Sequence, residues 1–181
     1  KMSSLQIMIA GFGGQGILFT GKFLAYKGLL EGKNVSWLPS YGPEMRGGTA
    51  NCSVILSDGA VGSPIISNPD VLMVMNLPSL DKFEDSVVPG GKIFVDSTLI
   101  ERKVTRTDVS VYYTPATKMA NESGMPSLAN MILAGKMMQE QPELASRFGV
   151  MSIPTLVVMK NGKIVNQAMG ARPKNVILGM L

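Results

Sequence analysis

The chain of 181 residues contains no histidine and a single cysteine, Cys52. The first absence excludes a histidine general base, a Ser-His triad and a histidine metal ligand. The second leaves no disulfide, no CxxC dithiol, and no iron–sulfur or structural zinc site built by this chain alone. Long apolar runs are missing too: none reaches the roughly 20 residues that cross a bilayer, and neither a membrane partner nor a leader is expected. Charge of one sign is also scarce. Seventeen Lys/Arg stand against thirteen Asp/Glu, and residues 1–138 hold twelve of the first and eleven of the second. Three of the four excess positive charges therefore belong to residues 139–181. A diffuse +1 over the main body with no dense basic block is no nucleic-acid footprint. The low cysteine count suits a reducing cytoplasm.

Apolar residues, by contrast, make up 45% of the chain, with fourteen methionines, enough for a substantial core in which methionine fills irregular gaps. Short apolar runs alternate with helical patterns. Leu5–Ala10 predicts a buried strand, Ile17–Glu31 a helix stopped by Gly32, and Asn34–Leu38 a second strand. Pro39–Gly48 predicts a loop. Thr49–Ser57 alternates as a half-buried strand with Cys52 on its apolar side, although Ile55 breaks the pattern. Val71–Met75, Lys92–Asp96 and Val109–Tyr113 predict further strands. Ser79–Val87, Thr114–Glu122 and Ser127–Met138 predict helices, the last with Ser127 as its N-cap. The expected fold class is α/β: three layers around a mostly parallel open sheet, opened by a Rossmann-like βα unit. Ligands of such sheets bind beyond the strand carboxyl ends. That edge would be lined by residues 11–16, 39–48, 76–79 and 96–98.

Gly11, Gly13, Gly14 and Gly16, with Gln15 among them, form a G-x-G-x-x-G turn between a strand and a helix. Such a turn presents bare N–H groups and a helix N-terminus to an anion such as phosphate. No acidic residue closes the second strand to hold a nicotinamide ribose, and no lysine follows in the P-loop pattern. The turn suits an anion without making an ordinary dinucleotide site. The second informative loop runs from Tyr41 to Gly48. Arg46 offers a planar fork of donors, and Gly47 and Gly48 allow close approach to a ligand or partner. Asp96 and Asn76, at strand ends, are expected to serve as helix caps or turn ligands.

Residues from about 5 to 138 resemble the gamma subunit of 2-oxoacid:ferredoxin (acceptor) oxidoreductases. The segments that carry the resemblance are GFGGQGILFTGKFLA, SYGPEMRGGTANCSVILSD, IISNPDVLMVMNLPSLDKF, PGGKIFVDSTLI and PATKMANESG, in that order. The EMRGGTANC form is closer to the 2-oxoglutarate or branched-chain type than to the pyruvate type. The resemblance implies a subunit without the catalytic centre. Alpha and beta partners would hold thiamine diphosphate and magnesium, and a ferredoxin-like delta subunit or ferredoxin would hold iron–sulfur clusters. This chain would hold no cofactor tightly by itself and no metal, and would contribute no catalytic residue. By position, Gly11, Gly13, Gly14, Gln15 and Gly16 would approach coenzyme A on a shared face, with Tyr41, Arg46, Gly47 and Gly48 on the same rim. The overall reaction would be oxidative decarboxylation of a 2-oxoacid to an acyl-CoA.

Residues 139–181 depart from that pattern and are expected to form a separate appendage, a β-hairpin plus a helix. The stretch beginning PELASRFGVMSIPTLVVMKNGKIVNQAMG resembles the C-terminal part of a thioredoxin, with Ile153-Pro154-Thr155 at that family's cis-proline segment. The redox helix of that family is missing. Some 40 residues cannot complete the fold unaided, so the hairpin is expected either to pack poorly or to dock on the main sheet. Two other functions compete with the gamma-subunit reading. One is a stand-alone nucleotide-binding module, which the missing ribose acid disfavours. The other is a thiol redox adaptor, which the missing dithiol disfavours.

Overall fold

A computed structural model describes residues 4–41, 49–141, 155–160, 163–169 and 174–180. In chain order the elements are β1 (Ser4–Phe12), α1 (Ile17–Leu30), β2 (Asn34–Tyr41), β3 (Thr49–Ser57), β4 (Val71–Val74), α2 (Leu77–Phe83), β5 (Lys92–Asp96), β6 (Ser110–Thr114), α3 (Ala116–Glu122) and α4 (Ala129–Gln139). A hairpin of β7 (Thr155–Lys160) and β8 (Lys163–Met169) and a short α5 (Lys174–Leu178) follow. The first six strands form one sheet in the order β2-β3-β1-β4-β5-β6. Strand β3 is antiparallel to both of its neighbours, whereas β1, β4, β5 and β6 pair in parallel, so only β3 runs against the rest.

The centre of the sheet is apolar on both faces. Ile7 and Ile9 of β1, Val71 and Met73 of β4, and Phe94 of β5 join α1, α3 and α4 in one buried cluster. Met8, Ala10, Leu72, Val74, Ile93 and Val95 alternate with them into a second cluster around Leu80 and Val87. This is the pattern of parallel strands covered on both sides. It also explains Ile55: Cys52, Val54 and Leu56 face the first cluster, and Ile55 faces the second. The expectation of a half-buried β3 is corrected here: α1 covers one side, and on the other Ile55 is buried in the cluster that also holds Met8 and Ile66. Burying each large aliphatic side chain contributes roughly 1.5–3 kcal/mol. Met8, Met73, Met75, Met137 and Met138 are all in this core, as gap-filling predicts.

Helix α1 lies against β3 so closely that a Cβ at Gly21 would sit 2.3 Å from Cys52 Sγ. Glycine inside a helix costs about 1 kcal/mol relative to alanine, and here it permits that contact. Several element bounds differ from the sequence reading, four of them with a clear physical cause. Strand β2 continues through Pro39, paired with Cys52, to Tyr41, so the loop is shorter than expected. Proline is tolerated there because β2 is an edge strand. Helix α2 starts at Leu77 rather than Ser79, because Asn76 Oδ1 accepts the Ser79 N–H at 2.8 Å and caps it earlier. Thr114 belongs to β6, with α3 opening after Pro115. Ser127 is not the cap of α4: it lies in a 3₁₀ turn, Pro126–Leu128, and no side chain caps that helix.

Glu140, just after α4, is tied back to the sheet and to its own helix. Its backbone carbonyl accepts the Lys92 ammonium of β5, and its carboxylate pairs with Lys136 at 2.5 Å. Among the described residues, strands β7 and β8 pair only with each other, as a sheet separate from the six-stranded one. Lys160 pairs with Lys163, and the Asn161-Gly162 turn between them lies outside the described residues, as does the Ile153-Pro154 segment. Among the described residues no helix is long and apolar enough to cross a membrane.

Candidate functional site

The six-stranded sheet changes direction of winding between β1 and β4. From β1 the chain runs through α1 to β2 on one side, while β4, β5 and β6 extend on the other. Helix α1 packs on one face of the sheet, and Leu80 of α2 joins the cluster on the other. The crevice at such a switch point, beyond the strand carboxyl ends, is where α/β sheets hold ligands. The glycine turn lies there.

Strand β1 ends at Phe12. Gln15 then folds back: its Oε1 accepts the Phe12 N–H at 2.6 Å, and its Nε2 donates to the Met75 carbonyl at 2.9 Å. Both polar ends of Gln15 are thus engaged inside the chain, tying the turn after β1 to the end of β4. Gly14 and Gly16 have φ of 96° and 75°, the left-handed region that a side chain disfavours. Gly16 is the N-cap of α1; among the described residues no side chain caps this helix end, and its first turn holds no acidic residue. Beside it lies a cavity of about 280 Å³ lined by Phe12, Gly13, Gly14, Gly16, Ile17 and Phe19, among others. Uncapped N–H groups and the positive end of the helix dipole make this hollow suited to an anion. A second hollow of about 290 Å³, walled by Ser4, Gln6, Ser57 and Ile65, sits at the start of β1 and has no charged side chain.

The sheet register brings the second loop to the same edge. Gly11 of β1 pairs with Ala50 of β3, which pairs with Tyr41 of β2. The connection between Tyr41 and Thr49 therefore leaves and re-enters the sheet beside the glycine turn, and Ala50 itself lines the cavity. Arg46, Gly47 and Gly48, together with the Tyr41 side chain, lie outside the described residues.

Asp96 is a cap, as expected, of the next helix along the chain, which opens only after β6. Its carboxylate accepts the Thr117 hydroxyl at 2.5 Å, the Thr117 N–H and the Thr98 N–H, closing the start of α3. Cys52 is fully buried, its Sγ 3.6 Å from the Ile17 carbonyl. Burial pushes its thiol up to about 12, so it stays protonated and unreactive. Two residues unnamed in the sequence reading prove central to the turn, Thr20 and Asn130. Asn130 is the polar residue on the otherwise apolar core face of α4, and that isolation is the signal which could have marked it.

The family model for pyruvate ferredoxin/flavodoxin oxidoreductase matches residues 6–171, and the chain belongs to that family. The match runs past the end of α4. The chain is 45% identical over 138 residues to the ketoisovalerate oxidoreductase subunit VorA of Methanothermobacter thermautotrophicus, covering 76% of this chain and only 28% of that protein. It is 35% identical over 133 residues to the 2-oxoglutarate synthase subunit KorC of Methanocaldococcus jannaschii, covering 72% of this chain and 71% of the relative. Among solved structures, the gamma subunit of keto/oxoacid ferredoxin oxidoreductase from Geobacter sulfurreducens superposes with a TM-score of 0.66 at 28% identity, over 83% and 87% of the two chains. The 2-oxoglutarate:ferredoxin oxidoreductase of Magnetococcus marinus, solved with 2-oxoglutarate, coenzyme A and succinyl-CoA bound, shares the fold with a TM-score of 0.69. That likeness is at 24% identity, over 81% of this chain and 27% of the other. Over 46 residues the chain is also 46% identical to the thioredoxin of Chlorobaculum thiosulfatiphilum, covering 25% of this chain and 43% of that protein.

Proposed function

We propose that this chain is the gamma subunit of a thiamine-diphosphate-dependent 2-oxoacid:ferredoxin oxidoreductase, of the 2-oxoglutarate or branched-chain type, working in the cytoplasm. The assembled enzyme would decarboxylate a 2-oxoacid oxidatively, transfer the acyl group to coenzyme A and pass the electrons to ferredoxin. Thiamine diphosphate, magnesium and the iron–sulfur clusters would reside on alpha, beta and delta partners or on ferredoxin. The Magnetococcus relative, which binds coenzyme A, supports coenzyme A as the ligand of the shared face.

The observation that carries this reading is the uncapped start of α1 beside its cavity, at the sheet's switch point. The chain's own part is to bind and orient. N–H groups at Gly13, Gly14 and the first turn of α1 receive a phosphate of coenzyme A. Gly11 and Gln15 support the turn from beneath. Tyr41, Arg46, Gly47 and Gly48 close the rim, with the Arg46 guanidinium pairing to phosphate or to a partner carboxylate. In this reading residues 1–138 form the gamma-type domain and residues 139–181 an appendage that plays no part in thiol chemistry, because Cys52 is single and buried. The stand-alone nucleotide-binding alternative lacks a carboxylate at the end of β2.

Arg46→Ala in the assembled enzyme tests the site. The expected result is a loss of about tenfold or more in apparent coenzyme A affinity, or visible dissociation of the complex, with the chain still folded. Unchanged affinity and unchanged assembly would remove Arg46 from the site.

A further inference from the structure

We propose that Asn130 is the positioning residue of the glycine turn, holding Gly16 and the first turn of α1 in their anion-receiving geometry. The proposal rests on the reading of that turn as the contact for coenzyme A phosphate. Asn130 lies on α4, 114 residues along the chain from Gly16, and is 3% exposed. Its Nδ2 donates to the Gly16 carbonyl at 3.1 Å and to Thr20 Oγ1 at 3.0 Å. Thr20 donates to the same carbonyl through its hydroxyl at 3.1 Å and its N–H at 3.0 Å. Three donors from two helices therefore converge on one oxygen.

That oxygen belongs to the peptide joining Gly16 to Ile17. In a trans peptide the N–H points opposite to the C=O. Holding the Gly16 carbonyl inward, against Asn130 and Thr20, aims the Ile17 N–H outward at the cavity that Gly16 and Ile17 line. The same contact fixes the glycine: a Cβ at Gly16 would lie 2.4 Å from Asn130 Nδ2. No network of its own accounts for Asn130, because its Oδ1 is buried without a partner among the described residues. An apolar residue on this face, between Ala129 and Leu133, would avoid that penalty. What Asn130 supplies is the donor on Gly16.

The test uses the full chain carrying Asn130→Ala, with Thr20→Val as a second variant that keeps the amide and removes the hydroxyl. Amide hydrogen exchange is followed without ligand, and coenzyme A affinity is measured in the complex assembled with alpha and beta subunits. In Asn130→Ala, exchange of the Thr20 amide, which bonds the Gly16 carbonyl, and of the turn that follows it should accelerate about tenfold while β4 and β5 keep their protection. Coenzyme A affinity should fall about tenfold, with maximal turnover retained. Thr20→Val should move both readouts in the same direction, and it decides the matter if Asn130→Ala does not fold. A side chain that merely stabilises the fold would lower the melting temperature and leave both readouts unmoved; that result overturns the proposal. Faster exchange in the variant, together with a wild-type complex whose activity does not respond to coenzyme A, would uphold Asn130 as the support of the turn. It would overturn coenzyme A as the ligand.

Discussion

The side-chain nitrogen of Gln15 donates to the Met75 carbonyl across 2.9 Å, joining the turn after β1 to the end of β4. It spans the crevice where the sheet changes its direction of winding. Gln15→Ala leaves both the Phe12 N–H and the Met75 carbonyl without this partner. The expected loss is roughly 1–2 kcal/mol of stability, with a severalfold weaker coenzyme A interaction. Thermal denaturation and titration of the assembled enzyme check the two parts separately.

Gly16→Ala and Gly14→Ala should differ in severity. Both positions have left-handed backbone, so each substitution carries strain of roughly 1–2 kcal/mol. Gly14 faces open space, whereas at Gly16 the new Cβ collides with Asn130. Gly16→Ala should therefore be the more damaging by about 1 kcal/mol or more, because Asn130 must move or lose its bond. Denaturant unfolding of the two variants gives the ordering.

Glu84 should be a principal acid-sensitive group of the main body. It is 4% exposed and accepts Arg102 Nη2 at 2.5 Å, the Thr105 N–H at 2.7 Å and the Thr105 hydroxyl at 3.0 Å. Burial works to raise its carboxyl, but the bonds from Arg102 and Thr105 outweigh burial and hold it below the usual carboxylate range. A carboxylate depressed in the folded state stabilises above its unfolded value, and that contribution is lost as pH falls through the folded one. Glu84→Gln should cost roughly 3 kcal/mol at neutral pH and flatten the loss of stability on acidification. Melting temperatures of both proteins between pH 7 and about 3 test this.

Cys52 sets a slope at the opposite end of the pH scale. Its thiol is pushed by burial up to about 12, so the unfolded chain releases this proton at lower pH than the folded one. Stability should therefore fall as pH rises from about 9 towards 12. Cys52→Ala should remove that part of the slope. A thiol reagent should react slowly with the native protein and fully after denaturation.

Much of this architecture is legible in the residues themselves, because local patterns determine it. The runs at Thr49–Ser57 and Lys92–Asp96 become β3 and β5 with the expected bounds. The glycine turn lies between β1 and α1 as its spacing implies. What stayed hidden depends on contacts between distant segments. Pro39 reads as a strand breaker until β2 is known to be an edge. Ile55 reads as a fault in the alternation until both faces of β3 are known to be covered. Gln15 reads as a ligand contact, yet both ends of its side chain are engaged in the chain. Asn130 and Gly16 meet across 114 residues, and no local periodicity connects them.

Co-expression with the alpha and beta subunits of a 2-oxoacid oxidoreductase, followed by sizing and a coenzyme A-dependent assay of ferredoxin reduction, tests the central claim most directly. The chain should co-elute with its partners in one complex that reduces ferredoxin only when a 2-oxoacid and coenzyme A are both present. Elution of the chain alone, with the partners reaching the same rate in its absence, would contradict the account.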